Sequence, residues 1–253
     1  MKSGQSWMAA RAALRRWKML ENSSSDNGPS PGFGDAARRL SFIEDRIAKC
    51  LELSGRAPGS VRLTAVTKQR SQTEIEALIL AGQRVFGENR VQEAARKWPS
   101  LREAHPNLEL RLIGPLQSNK VREACSVFDA LETLDRPSLA EALAREFSRT
   151  GIARELYIQV NVGDEPQKAG VSLSEADQFI ERCRSEYQLN ITGLMCIPPA
   201  GHPAAPYFAL LSKIARRHAL EQLSMGMSGD FEIAVQLGAT RVRIGNALFE
   251  ASR

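Results

Sequence analysis

Arg62-Leu-Thr-Ala-Val-Thr-Lys68 alternates apolar and polar residues with a period of two, and residues 72–81 behind it space Ile75, Leu78 and Ile79 as one face of a helix. Read outward from this pair, the same strand-then-helix unit recurs down the chain. A helix over 36–54 precedes it. Behind it come a strand at 84–86 with a helix from Glu88 through Ala95 expected to break near Pro99, then a strand at 110–113 with a helix over 118–125, then a strand at 128–133 with a helix over 137–149. Strands at 156–162 and 191–195 precede helices over 174–187 and 207–219. Short strands at 222–225 and 241–244 bracket a helix over 229–237, and Asn246 opens a last turn. Eight strand-like segments, each followed by a helical one, predict an α/β fold closed as a single (β/α)8 TIM barrel by right-handed crossovers. The rival, an open doubly wound sheet, would carry a Gly-x-Gly-x-x-Gly turn after its first strand, and Thr67-Lys68-Gln69-Arg70 stands there instead.

At 253 residues with 43% apolar side chains the chain can bury one large core. Five of its 34 basic residues lie in the first twenty, where no acid occurs, which leaves 29 against 29 in the body and argues against a nucleic-acid-binding face. Residues 7–20 have the pattern of a basic amphipathic helix and 22–34 the Ser/Gly/Pro/Asn content of a linker. Residues 1–35 are therefore read as a flexible basic extension, a leader rather than a targeting peptide, and 36–253 as the barrel domain. Cys50, Cys125, Cys183 and Cys196 are far apart with no Cys-x-x-Cys, so no metal site and no disulfide framework is expected and a reducing cytoplasm suits them. No apolar stretch approaches the ~20 residues of a membrane span.

If the barrel closes this way, the chemically distinctive residues all follow strands, on the face where barrel proteins place their sites. Ser224-Met-Gly-Met-Ser-Gly-Asp230 and Arg241-Val-Arg-Ile-Gly-Asn246 each put small residues and a side-chain cap at an expected helix start, where free N–H groups and the helix dipole favour a phosphate. Lys68, expected to be partly desolvated at its strand end and so lowered in pKa, faces them. An amine opposite two phosphate cradles is what a protein needs to carry pyridoxal 5′-phosphate as a Schiff base. Arg243 would meet the pyridine nitrogen and, always protonated, weaken the cofactor as an electron sink; an ion pair with Glu132 is the alternative. Asn89 is a candidate partner of the phenolic oxygen or the imine, and Met195 a wall against the ring. Glu88 reads as the first turn of a helix, and His105, His202 and His218 as surface. No catalytic residue and no metal ligand is assigned.

Six motifs then carry a family resemblance. Ala65-Val-Thr-Lys68, Phe86-Gly-Glu-Asn-Arg-Val-Gln-Glu93, Leu112-Ile-Gly-Pro-Leu-Gln-Ser-Asn-Lys120, Gly193-Leu-Met195, Leu223-Ser-Met-Gly-Met-Ser-Gly-Asp230 and Val242-Arg-Ile-Gly245 resemble, in order, the pyridoxal phosphate homeostasis proteins. The resemblance runs from about residue 40 to the end and implies the barrel of the alanine racemase N-terminal domain without the racemase's second domain. It implies that the protein binds, buffers and hands over pyridoxal phosphate within vitamin B6 homeostasis, with pyridoxal-phosphate-dependent apoenzymes as recipients and a monomer expected. By position it makes Lys68 the Schiff-base lysine, sets Ser228, Gly229, Gly245 and Asn246 around the phosphate, Arg243 at the ring nitrogen and Asn89 and Met195 beside the cofactor. The chain departs from the family pattern at Arg90, usually tyrosine, at Leu110-Arg111, usually Trp-His, at Asn246, usually Thr or Ser, and at Glu250, usually glycine.

Two rival functions use the same residues. An amino-acid racemase needs a second base on the opposite ring face, a tyrosine in the two-domain racemases, and Tyr157, Tyr187 and Tyr207 fall within a strand, in a helix and at a helix start. A Schiff-base aldolase would use the lysine and the phosphate cradle with no cofactor.

Overall fold

The computed structural model describes residues 33–249. Helix α1 (Phe33–Leu53) turns Leu40, Ile43, Ile47 and Cys50 inward at helical spacing. Then come β1 (Arg62–Val66), α2 (Gln72–Leu80), β2 (Val85–Glu88), α3 (Val91–Ala104), β3 (Glu109–Leu112), a 3-10 turn at Ser118–Lys120, α4 (Val121–Val127), β4 (Ala130–Leu134), α5 (Pro137–Thr150) and β5 (Glu155–Asn161). The chain continues through β6 (Val171–Ser172), α6 (Ala176–Ser185), β7 (Ile191–Cys196), α7 (Ala205–Arg217), β8 (Gln222–Ser224), α8 (Phe231–Gln236), β9 (Arg241–Ile244) and α9 (Asn246–Phe249).

Every strand pair is parallel, and the order β4-β3-β2-β1-β9-β8-β7-β5 is closed by β4 pairing with β5, an eight-stranded barrel. The two-residue β6 is an addition that no periodicity marked; it pairs with Val160 and Asn161 at the end of β5.

Alternation along β1 buries Leu63 and Ala65 in the apolar layer under the helices and turns Thr64 inward, where the absent Cβ of Gly87 would lie 3.0 Å from its methyl. The lumen is unusually polar. Fully buried Arg111 on β3 donates from Nε to Glu132 Oε1 at 2.5 Å and from Nη1 to Glu109 and Glu155 at 2.5 and 2.6 Å, while its guanidinium lies 5.0 Å over the Tyr157 ring. Burial works against that charge, but the carboxylates around it outweigh the loss of water, and Arg111 stays protonated.

Arginines also close helix ends, where the last carbonyls have no helical partner. Arg84 Nη1 reaches Ile79 O at the end of α2, Arg154 reaches Cys125 O in α4, and Arg56 Nη1 reaches Val235 O and Ala239 O around the end of α8.

Three local expectations are corrected. Helix α3 runs unbroken through Pro99, because Trp98, packed against Phe86 at 5.1 Å between ring centroids with the rings tilted by 49°, and Leu101 are buried on either side of it and hold the helix despite the lost backbone bond. Glu88 does not open a helix; it ends β2, fully buried. His218, expected on the surface, is half-buried. It follows α7 with its side chain 9% exposed, and its ring nitrogens lie 2.7 Å from Asp177 and 2.9 Å from Glu181 of α6. The extension expected over 1–35 lies, up to residue 32, outside the described residues, as does the departure at Glu250.

Candidate functional site

Lys68 is two residues past β1. Strand register sets Ala65 beside Ile244 of β9, and the missing Cβ of Gly245 would sit 3.6 Å from Val66 Cβ, so the turn after β9 lies beside the strand that leads to Lys68. The turn after β8 is next to it, with Arg243 N donating to Gly226 O at 2.9 Å. Gly226 has φ of +92°, and a Cβ there would come within 2.5 Å of Ala234 Cβ, so only glycine brings the Met227–Asp230 turn back over α8.

Both turns present unused donors. Asp230 Oδ1 accepts from Met227 N at 2.6 Å and Met227 O accepts from Phe231 N, which pins the first turn. The amides of Ser228, Gly229, Gly245 and Asn246 find no acceptor among the described residues. A Cβ on Gly229 would meet nothing within 4 Å, and one on Gly245 would touch only Val66. Free amides over open space, on glycines that leave the backbone bare, fit a phosphate.

Arg243 is buried on β9. Its Nη1 donates to Ser224 Oγ and its Nη2 to Cys196 O, both at 2.8 Å, and Cys196 adjoins Met195, which is fully buried at the end of β7. The ion pair with Glu132 weighed as the alternative for Arg243 is indirect: Ser224 Oγ links the two, and Arg111 is the direct partner of Glu132. Asn89, half-buried past β2, is packed so closely on Gly114 that a Cβ there would fall 2.3 Å from Asn89 O. Asn161, by contrast, caps its own loop through Glu165.

The expectation that Lys68 is partly desolvated is not met: its side chain is exposed at the mouth. What is fixed is its backbone. Lys97 of α3 donates to Thr67 O at 2.9 Å and Arg70 O at 3.4 Å, Glu93 accepts from Gln69 N at 2.8 Å, and Glu88 accepts from Thr67 Oγ1 at 2.7 Å and from Trp98 Nε1 at 3.2 Å. Glu93 closes the second of the quoted motifs but was given no role there, and Lys97 lies outside all six; the signal for the pair was their i, i+4 spacing on a helix.

Tyr157, a residue weighed as a possible second base, is buried low in the barrel with its hydroxyl 3.2 Å from Glu155 at the start of β5, and burial pushes its pKa up to about 12. Burial likewise pushes the Cys196 thiol up to about 12. Among the described residues no cluster of metal-ligating side chains occurs and no helix is long and apolar enough to cross a membrane.

The profile of the alanine racemase N-terminal domain family matches residues 44–253. The pyridoxal phosphate homeostasis protein of Aquifex aeolicus is 36% identical over 224 residues, 85% of this chain and 97% of that protein, and that of Escherichia coli K12 is 36% identical over 226 residues, 86% and 97%. This chain belongs to the pyridoxal phosphate homeostasis protein family. Among solved structures of similar sequence, PipY of Synechococcus elongatus with PLP bound is 37% identical with a TM-score of 0.69, covering 80% of this chain and 99% of that one. A protein from Bifidobacterium adolescentis is 32% identical with a TM-score of 0.82, covering 89% and 98%. Alanine racemase from Corynebacterium glutamicum, 18% identical with a TM-score of 0.59, shares the fold, and this homeostasis-family chain spans 62% of its length.

Proposed function

We propose that this protein holds pyridoxal 5′-phosphate on Lys68 and serves intracellular vitamin B6 homeostasis and supply rather than turning over a substrate. The observation that carries the reading is the pairing of two bare, glycine-bearing turns after β8 and β9 with Lys68 past the adjoining β1. When bound, the cofactor supplies an aldehyde whose carbon forms a C=N bond with a primary amine, its oxygen leaving as water.

The residues divide the work. The amides of Ser228, Gly229, Gly245 and Asn246 hold the phosphate; Asn246 replaces a hydroxyl residue usual in the family and contributes through its backbone. Arg243 faces the ring nitrogen from the inner wall, kept in place by Ser224 and Cys196 O, and its permanent charge keeps that nitrogen unprotonated. Asn89 and Met195 line the ring. The PLP-bound PipY relative and the names of the bacterial relatives support pyridoxal phosphate as the ligand.

A carrier rather than a racemase is favoured by the position of Tyr157, whose hydroxyl faces the start of its strand, away from the mouth. The barrel domain is taken to run from residue 36 with 1–35 as an appended extension, and the protein to act as a cytoplasmic monomer that supplies pyridoxal-phosphate-dependent apoenzymes. The test is borohydride reduction of protein loaded with pyridoxal phosphate, followed by peptide mass spectrometry. The cofactor mass is expected on Lys68 and absent in Lys68→Ala; a label elsewhere, or alanine racemisation well above free cofactor, overturns the reading.

A further inference from the structure

The turn that presents Lys68 is tied from behind by one ammonium. Lys97 Nζ lies 2.8 Å from Glu88 Oε1 and 3.0 Å from Glu93 Oε1, and it donates to Thr67 O and Arg70 O, the carbonyls on either side of Lys68-Gln69. Its side chain is 10% exposed. Gln69 between those carbonyls has φ of +59°, a left-handed conformation that a glutamine leaves unless it is held, and its amide is held by Glu93.

We propose that Lys97, together with Glu93, is the positioning residue that sets the direction in which Lys68 leaves the barrel. The inference rests on the reading that Lys68 captures the cofactor. Four acceptors converge on this ammonium, two of them backbone carbonyls that bracket the reactive lysine, and neither carboxylate is free to drift. Glu88 is buried and already bonded to Thr67 Oγ1 and Trp98 Nε1. Burial opposes the charge on Glu93, but the Gln69 amide and the Lys97 ammonium outweigh it and hold that carboxyl below the usual range. A lysine that only supported α3 would have no need of the carbonyls in the next loop. Lys68 itself is exposed and its side chain makes no hydrogen bond or ion pair among the described residues, so its backbone aims it at the turns after β8 and β9.

The experiment uses Lys97→Met and Lys97→Arg in the full chain, with two readouts. In protein freed of cofactor, amide hydrogen exchange is followed on the peptide spanning 67–70. In protein mixed with pyridoxal phosphate, the rate of borohydride-fixable mass gain on Lys68 is measured. Lys97→Met is expected to speed exchange in that peptide alone and to slow capture about 10-fold or more, with Lys97→Arg in between. Unchanged exchange and unchanged capture overturn the proposal, and so does faster exchange spread over the whole barrel with normal capture. Should Lys97→Met not fold, Glu93→Ala, at a partly exposed site, is expected to move both readouts the same way, and wild-type values in it overturn the proposal. A wild-type protein that fixes the cofactor on a residue other than Lys68 defeats the functional reading, while the exchange result still judges the clamp.

Discussion

Ser224 Oγ donates to Glu132 Oε2 at 2.5 Å across the lumen, between strands β8 and β4 that share no edge. The same hydroxyl accepts from Arg243, so one buried carboxylate steadies Arg111 directly and Arg243 through an intermediate oxygen. Burial alone would raise the pKa of Glu132; Arg111, Arg243 and Arg241 outweigh it and hold the carboxyl below its ordinary value.

Glu132→Leu leaves the Arg111 charge without its one fully buried carboxylate partner and is expected to cost about 3–5 kcal/mol in guanidinium unfolding. Combining it with Arg111→Met should recover most of that loss, since removing both charges removes the desolvation cost with them. Because the folded pKa of Glu132 is depressed, its contribution is present above the unfolded carboxylate pKa and is lost as pH falls through the folded value. The Glu132→Leu deficit should therefore shrink in acid, and a deficit constant from pH 7 to pH 3 would contradict this account.

Glu44 on α1 behaves oppositely. It has no hydrogen-bond or ion-pair partner among the described residues, and burial, followed by the neighbouring Asp45, raises its carboxyl pKa to about 7. The folded protein thus holds a proton that the unfolded chain has released, and stability falls as pH rises between the two pKa values. Glu44→Gln is expected to stabilise the protein by about 1 kcal/mol at pH 8, after allowance for solvent screening, and to be neutral near pH 4. Thermal unfolding across that range reads the difference.

Two glycine substitutions separate site from scaffold. Gly245→Ala adds a Cβ at an ordinary 3.6 Å from Val66, so the melting temperature should hold, while the methyl crowds the phosphate against the retained amide and retention of pyridoxal phosphate on dialysis weakens about 10-fold, the weakening of one charge-assisted hydrogen bond. Gly114→Ala drives a Cβ to within 2.3–2.7 Å of Asn89 backbone and side-chain atoms and should cost about 1–3 kcal/mol of stability as well.

All four cysteines are buried, and burial raises their thiol pKa values, to about 11 for Cys125 and about 12 for Cys183 and Cys196. A disulfide reagent at pH 8 is expected to titrate none of them in the native protein and all four in guanidinium. Rapid reaction of one thiol in the native state would show that its segment opens.

What the amino-acid order determined by itself was the barrel and the location of its mouth. Period-two strands with Lys68, Asn89, Met195 and Arg243 at or just past their ends, each followed by a helical period, can bury both faces of a parallel sheet in few ways, and the glycines of the last two turns already marked bare backbone. Tertiary structure alone decided the rest, because it depends on residues far apart in sequence meeting at ångström range. Glu132, Ser224 and Arg243 meet only because the barrel closes; Pro99 stays helical only because Trp98 finds Phe86; and Lys97 grips the Lys68 turn only because α3 packs beside β1 and β2. Local pattern encodes which face a side chain takes, but a hydrogen bond or ion pair across the fold is set by distances that only the packed chain establishes.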